Sequence, residues 1–413
     1  MHRNLGTHNT INSGRFNCRM ILLQVLSCCL IVSEKSAAQT DSAQAAAASI
    51  RHDPTFTLKG YVKFLEQVSY SPNPAEALTN ELLHNRLNFL YRPSDHFKYR
   101  LEIRNRIYYG QLVQEYPGYS ALVAAPQGTF DLSKNWINQN GILANSTIDR
   151  ASAEYTDDKW DITLGRQRIN WGINTVWTPN DIFNTFNYFD FDYEERPGSD
   201  AARVQYAFNS SSSLDLAISP GLTKTMDVGA LMYHFNRWNY DFQMFSGIYH
   251  QDYVAGAGWA GNIFNAGFKA ELSYFTPYQE ATDSGTWTAS VSFDYGFKNG
   301  IYLLVSGLYN GRGTDSIPNI AKLTTETLSA ENIFPFRYTL FAEITYSFSP
   351  IWKGSLAGMY SPAGNAVIIL PTLTWSVANN WALDFIAQSF YSETGHTYGA
   401  LGSGVYLRLK WGF

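Results

Sequence analysis

Eleven residues, Phe97 to Ile107, set the strongest limit on what this chain can fold into. Phe97, Tyr99, Leu101, Ile103 and Ile107 alternate with Lys98, Arg100, Glu102, Arg104 and Arg106. A period of two belongs to a β-strand, here with one apolar face and one face carrying five charges. A packed protein core cannot take five charges without a large desolvation cost. A sheet closed around water can, provided its apolar face meets lipid.

The same alternation returns along the chain. Phe56, Leu58, Val62 and Phe64 oppose Lys59, Tyr61 and Lys63, and Leu87, Phe89 and Tyr91 oppose Arg86 and Asn88. Tyr240, Phe242 and Met244 oppose Asp241 and Gln243; Val291, Phe293 and Tyr295 oppose Ser292 and Asp294. Tyr338, Leu340, Ile344, Tyr346 and Phe348 oppose Arg337, Thr339, Glu343 and Thr345. The chain ends with Val405, Leu407, Leu409, Trp411 and Phe413 on one face and Tyr406, Arg408 and Lys410 on the other. Charged residues make up 16% and aromatics 15%, against about 25% charged in ordinary soluble proteins. An aromatic excess of this kind fits girdles at two membrane interfaces. Mean hydropathy is only -0.22, and beyond the N-terminus no apolar run is long enough for a membrane helix. The net charge of -5 gives no reason to expect a nucleic-acid partner.

The fold expected is an all-β, transmembrane, antiparallel up-and-down barrel. Residues 1–38 read as a signal peptide, with Arg15 and Arg19 before the apolar run Met20 to Val32 and small residues Ser36-Ala37-Ala38 before the cut. A lipoprotein reading at Cys28 is the lesser alternative. Cys18, Cys28 and Cys29 all lie in this presequence, so the mature chain has no structural disulfide and no cysteine-ligated metal. Residues 39–54 form a lead-in and 55–413 the barrel. Short turns are expected at Arg92–Asp95, Thr156–Lys159, Asn209–Ser212, Phe235–Arg237, Lys298–Gly300, Ser349–Ile351 and Ala378–Asn380. Longer links fall at Gly110–Thr147, Gly172–Asp200 and Gly311–Pro335, so short and long are expected to alternate. The count is about 18 strands with both termini periplasmic; the weak segment Asp252 to Asn265 decides between 18 and 16.

Leu164-Gly165-Arg166-Gln167-Arg168-Ile169-Asn170-Trp171-Gly172 leads into Trp177-Thr178-Pro179-Asn180-Asp181-Ile182-Phe183-Asn184, and then into Arg196-Pro197-Gly198-Ser199-Asp200-Ala201. In these roughly forty residues the chain resembles porin-like outer-membrane barrels, among them alginate-export-type channels and several uncharacterised porin families. The resemblance implies a single-chain barrel that passes small or linear hydrophilic solutes. Arg166, Arg168, Trp171, Trp177, Pro179, Asp181, Phe183 and Asp200 are the candidates for a constriction loop folded into the pore. The alternative is an external cap, in which Arg166, Arg168 and Arg196 pair with Asp181, Asp190, Asp192, Glu194, Glu195 and Asp200. By alternation Arg166 and Arg168 continue the outward face of Ile162 and Leu164, and a bulge at Gly165 would return them to the lumen.

Lys59, Lys63, Arg86, Lys98, Arg100, Arg104, Arg106, Arg150, Arg203, Arg408 and Lys410 fall on the inward face. Closure of the last strand on the first sets Arg408 and Lys410 beside Lys59 and Lys63, a basic sector that would attract anions. Glu102, Glu154, Glu271, Glu343, Asp241, Asp294 and Asp384 are the acids that could neutralise it in cross-lumen ladders. The function expected is passive diffusion of small polar or anionic solutes. Export of an anionic polysaccharide, or a plugged barrel with a surface-binding role, are the alternatives. His52, His84, His96, His234, His250 and His396 stand in no catalytic arrangement, so an enzyme is not expected. No cofactor and no metal site is expected either, Asp190 and Asp192 lacking the spacing of a calcium loop. The expected partners are outer-membrane lipid and lipopolysaccharide, the barrel assembly machinery through the terminal Phe413, and the solute; the sequence leaves open whether three copies associate as a homotrimer. The expected location is the outer membrane of a Gram-negative bacterium.

Overall fold

The computed structural model describes residues 55–413 apart from 71–76, 117, 127, 185–194, 197, 279–283, 316–327 and 395–396. The presequence, the lead-in and the acids Asp190, Asp192 and Glu194 lie outside the described residues. Strands run in chain order as β1 (Phe56–Tyr70), β2 (Ala77–Tyr91), β3 (Phe97–Gly110), β4 (Ser133–Gln139), β5 (Ile142–Thr156), β6 (Trp160–Gln167), β7 (Ser199–Asn209), β8 (Ser212–Ser219), β9 (Val228–Arg237) and β10 (Tyr240–Tyr249). They continue as β11 (Asp252–Ile263), β12 (Ala266–Pro277), β13 (Thr286–Gly296), β14 (Ile301–Asn310), β15 (Tyr338–Ser349), β16 (Trp352–Ser361), β17 (Ala366–Ala378), β18 (Trp381–Thr394) and β19 (Thr397–Gly412). Two single-turn helices, α1 (Gln111–Glu115) and α2 (Tyr119–Val123), stand between β3 and β4.

Each strand pairs antiparallel with its neighbours, and β1 pairs with both β2 and β19, so the sheet closes. At the seam Lys63 faces Lys410, and the Gly60 and Phe413 backbones exchange two 2.9 Å hydrogen bonds. The closed ring has eighteen strands. β3 pairs directly with β5, while β4 lies against only the first half of β5. Asp252 to Asn265, the doubtful segment, contributes β11 and so settles the count at 18 rather than 16.

Alternation puts Tyr, Trp and Phe at both ends of the outward face. Trp352 stacks on Trp375, and Trp381 on Trp411, at one end; Tyr274 meets Trp287, and Tyr309 meets Tyr338, at the other. Leu, Ile, Val, Ala and Gly fill most of the band between. One end of the ring carries both ends of the barrel chain and eight short turns; the other carries the long links. Three sequence expectations need correction. The β9–β10 turn is Trp238-Asn239 (φ 56° and 62°), two residues later than the expected Phe235–Arg237, because the outward alternation continues through Phe235. Not every link at the far end is long: His250 and Gln251 alone join β10 to β11. Gly110–Thr147 is not one loop, since it holds α1, α2, β4 and the start of β5, turning at Asn140-Gly141 with φ 53° and 73°. Such a pair of positive φ values makes the tight hairpin turn that Asn-Gly favours.

Candidate functional site: the lumen and its inserted segments

β6 is short because the chain leaves the wall at Gln167. β4 occupies the place beside β5 that a longer β6 would have taken. From there residues 168–184 run into the barrel, and Ile169, Trp171, Val176, Trp177, Asn180, Asp181, Ile182 and Asn184 are buried. The inner wall meets their backbone polar groups one by one, as buried peptide groups require. Glu271 of β12 accepts the N–H groups of Ile173 (2.6 Å), Asn174 (2.5 Å) and Asn180 (2.9 Å). Gln243 donates to the Trp171 carbonyl, Ser273 to that of Pro179 and Ser290 to that of Trp177. The Trp171 indole donates to Asp215 at 2.9 Å and packs edge-on to Phe183. Trp177 lies against Phe334 and Phe341.

A second segment, residues 328–336, enters beside the first and buries Ala330, Ile333, Phe334 and Phe336. Together the two segments cover Leu304, Leu308, Phe341, Met359, Ile368 and Leu370 on the inward face of β14–β17. This part of the lumen is therefore apolar and filled, which the simple rule of apolar outside and polar inside does not anticipate. On the other side α1 and α2 set Val113, Tyr119 and Val123 against Leu65, Leu82, Tyr108 and Leu143.

The eight loop candidates divide into two groups. Trp171, Trp177, Pro179, Asp181 and Phe183 lie inside, and Arg168 is half-buried beside Arg196, Asp181, Arg150 and Glu195. Arg166 and Asp200 do not join them. The ladder runs through Gly165 with no register shift, so there is no bulge there although its φ is +105°. Arg166 thus keeps the face of Ile162 and Leu164, and pairs two-pronged with Asp200 at 2.8 and 2.7 Å. Both are buried because the chain at Phe130 covers them, its carbonyl accepting from Arg166 and its N–H donating to Asp200. Arg196 pairs with Asp181 at 2.6 Å. Burial, only partly offset by Arg196 and Arg168, pushes the Asp181 carboxyl up to about 6. Two of the ion pairs named for an external cap are present, Arg196–Asp181 within the inward fold and Arg166–Asp200 outside it.

All eleven basic candidates lie on inward-facing positions of their strands, by register. Few stand alone. Arg86 bridges Asp149 and Glu102, Arg104 reaches Asp149 at 2.9 Å, and Arg150 reaches Glu102 at 2.9 Å. Lys98 pairs with Glu154, Arg203 with Asp215 and Arg408 with Asp384. Lys63 is buried with its ammonium 5.6 Å from the Tyr61 ring centre, and Lys410 lies 4.8 Å over the same ring. Arg106 donates to Asn145 and to the Val123 carbonyl. Arg100, with Glu102 3.9 Å away, and Lys59 keep the most open side chains. Asp149 escaped the sequence reading because a bulge at Ile148–Arg150, opposite Glu102 and Ile103, turns both Asp149 and Arg150 inward. Of the neutralising acids, Glu102, Glu154 and Asp384 sit on cations, whereas Glu271 holds the loop.

The charges are unevenly shared. On β19, β1, β2, β3 and β5 ten inward cations (Lys59, Lys63, Arg86, Lys98, Arg100, Arg104, Arg106, Arg150, Arg408, Lys410) meet three inward carboxylates, Glu102, Asp149 and Glu154. On β6 to β18 the inward carboxylates are Asp161, Asp215, Asp241, Asp252, Glu271, Asp294, Glu343 and Asp384, and the cations only Arg203, Lys269 and Lys353. Inward cations thus gather on five adjoining strands, a basic wall, while inward carboxylates outnumber cations on the rest.

No protein-family model matches the chain, and no curated protein is significantly similar to it. The alginate-export likeness therefore rests on the motif residues alone. Solved structures do match in fold. OccK5 (OpdH) of Pseudomonas aeruginosa aligns at a TM-score of 0.57 and 8% identity, covering 87% of this chain and 98% of its own. The outer membrane protein opdK of the same organism gives 0.52 at 9% identity, with 86% and 98% covered. A BenF-like porin from Pseudomonas fluorescens Pf-5 gives 0.53 at 7% identity, with 87% and 98% covered. The chain has the fold of an outer-membrane porin.

Proposed function

We propose that this chain is an outer-membrane channel through which small polar anions diffuse passively, with the basic wall as their track. Its termini and eight short turns lie on the periplasmic side in this reading, and the inserted segments enter from outside. What supports this reading is the uneven share of inward charge between the five strands of the basic wall and the rest. A transverse field of this kind orders solutes by charge and draws anions along one side of a narrow, low-dielectric passage. Segment 168–184 narrows that passage from the acidic side, and the apolar packing at Trp177 keeps it in place. Arg100 and Lys59, the least shielded cations, would meet the solute directly, while Arg86, Arg104 and Arg150 hold the wall's net charge through shared carboxylates.

The test is the reversal potential of the refolded mature chain in a planar bilayer under a salt gradient. Anion preference is expected, reduced by Arg100→Glu without loss of conductance. Cation preference, or an unchanged reversal potential in Arg100→Glu, would overturn the reading.

A further inference from the structure

The outward face is apolar at mid-depth nearly all the way round, with one conspicuous interruption. On β2, β3 and β5, Asn85, Asn105 and Ser146 stand in one row facing lipid. They bond to one another, Asn105 donating to Asn85 at 3.2 Å and Ser146 to Asn105 at 2.6 Å. Six residues up a tilted strand from the aromatic Tyr91, Asn85 lies ~15 Å into a hydrocarbon band ~25 Å tall. Further along, Glu66 of β1 and Glu81 of β2 are direct neighbours on the same face. Like charges opposed in this way repel. Among the described residues neither carboxylate has a cation partner, and one Glu81 oxygen is buried with no hydrogen bond. Across the patch, Lys134 of β4 is exposed next to Ser146 in the ladder.

The register fixes the relative height of these charges. A row crossing the strands climbs from Phe56, at the short-turn end, through Tyr91, Tyr99, Ala153, Leu164 and Ala202 to Ile218 near the long-link end. At a tilt of ~40° each strand crossed lifts the row ~3 Å, and each residue up a strand adds ~2.5 Å. From Asn85, Lys134 is three strands along, so it lies ~9 Å higher. Glu81 is four residues up the strand, ~10 Å higher, and Glu66 one strand back at ~7 Å. Lys134 therefore shares the level of the two acids, on the opposite flank, with Ile107 midway between them. A two-fold axis along the membrane normal preserves height and exchanges flanks.

We propose that this face binds a second copy of the chain, Lys134 of each copy meeting Glu66 and Glu81 of the other, with Ile107 at the axis. The polar row between supplies the small, hydrogen-bonding contacts that join protein surfaces in lipid. A lipopolysaccharide head group could meet the acids but does not reach Asn85 and Asn105 at mid-depth. The inference rests on the barrel spanning a membrane and is independent of the direction of ion selectivity.

Fluorophore-labelled mature chain in lipid nanodiscs, counted by photobleaching steps, tests it. Wild type is expected to bleach in two steps. Lys134→Glu alone, and Glu66→Lys with Glu81→Lys, should each cut the paired fraction about tenfold, the unit conductance showing that each barrel is folded. Mixing the two variants should restore pairs, and Ile107→Cys, in a mature chain with no other cysteine, should cross-link to itself. Single-step bleaching of wild type, or no rescue on mixing, overturns the proposal. So does retention of lipopolysaccharide by wild type, lost in the double lysine variant, without pairing.

Discussion

Glu271 is the residue whose removal should most change the channel without touching its entrance. Its carboxylate takes three backbone N–H groups of the inserted segment, and hydrogen bonds to a charged group contribute ~1.5–3 kcal/mol each. Glu271→Ala therefore forfeits about 5 kcal/mol or more in gross terms, and water entering the gap returns part of it. The segment does not come away altogether. Gln243, Ser273 and Ser290 still hold it, and Trp171 and Trp177 stay buried. What loosens is the stretch from Ile173 to Asn180. Since each ~1.4 kcal/mol shifts a population tenfold, even half the gross loss raises the lifted fraction by nearly two orders of magnitude. Single-channel records of Glu271→Ala should show bursts to a larger conductance that wild type lacks. Glu271→Gln keeps the oxygen that faces Ile173 and Asn174 but turns an amide toward the N–H of Asn180, so its bursts should be rarer. Deleting residues 170–184 gives the upper conductance for comparison. If Glu271→Ala matches wild type in level and noise while the barrel is folded, Glu271 does not hold the segment in the path of ions.

Asp181 gives a pH dependence with a definite sign. Its carboxyl, raised to about 6 by burial, is charged at pH 7 and neutral at pH 5, so acidification frees the Arg196 charge and anion preference should rise with a midpoint near 6. In Asp181→Asn the preference should be high at both pH values, and a wild-type midpoint that survives this change would assign the effect elsewhere. Removal of Phe413 deletes two backbone hydrogen bonds to Gly60 and the ring contact with Trp411. The yield of folded barrel in the outer membrane should fall severalfold, with unchanged conductance for the molecules that do assemble; an undiminished yield would show that the closing pair is dispensable.

The wall of the barrel was legible because it obeys a local rule. Each strand must turn alternate side chains to lipid and to water, so the five charges of β3 and the aromatic ends of β15 and β19 can be read without knowing their neighbours. The count of eighteen follows from the same rule, and β4 shows a signal that was present but not used, since Asn140-Gly141 is a hairpin turn on its face. Where the rule is broken by one residue the reading slips. The extra residue at Ile148–Arg150 hid Asp149, which binds both Arg86 and Arg104. Gly165 suggested a bulge that the paired strands on both sides do not contain.

The interior obeys no such rule. Most wall partners of segment 168–184 are far away in sequence, 44 positions for Trp171 with Asp215 and 116 for Asn174 with Ser290. An aromatic, proline-stiffened segment can cap a barrel or enter it with the same local sequence. The choice depends on whether the wall offers acceptors and donors at matching heights, and Glu271, Gln243, Ser273 and Ser290 do so from three strands at once. The inward apolar residues Leu304, Phe341 and Met359 carry the same information from the other side. In a water-filled barrel they have no reason to face inward, so they imply that something apolar covers them. Leu304, Leu308, Phe341, Met359 and Ile368 occupy inward positions in adjacent strands that alternation alone assigns to water. Such a cluster, with Trp177 and Phe334 waiting in long links, is the sequence sign of an inserted segment.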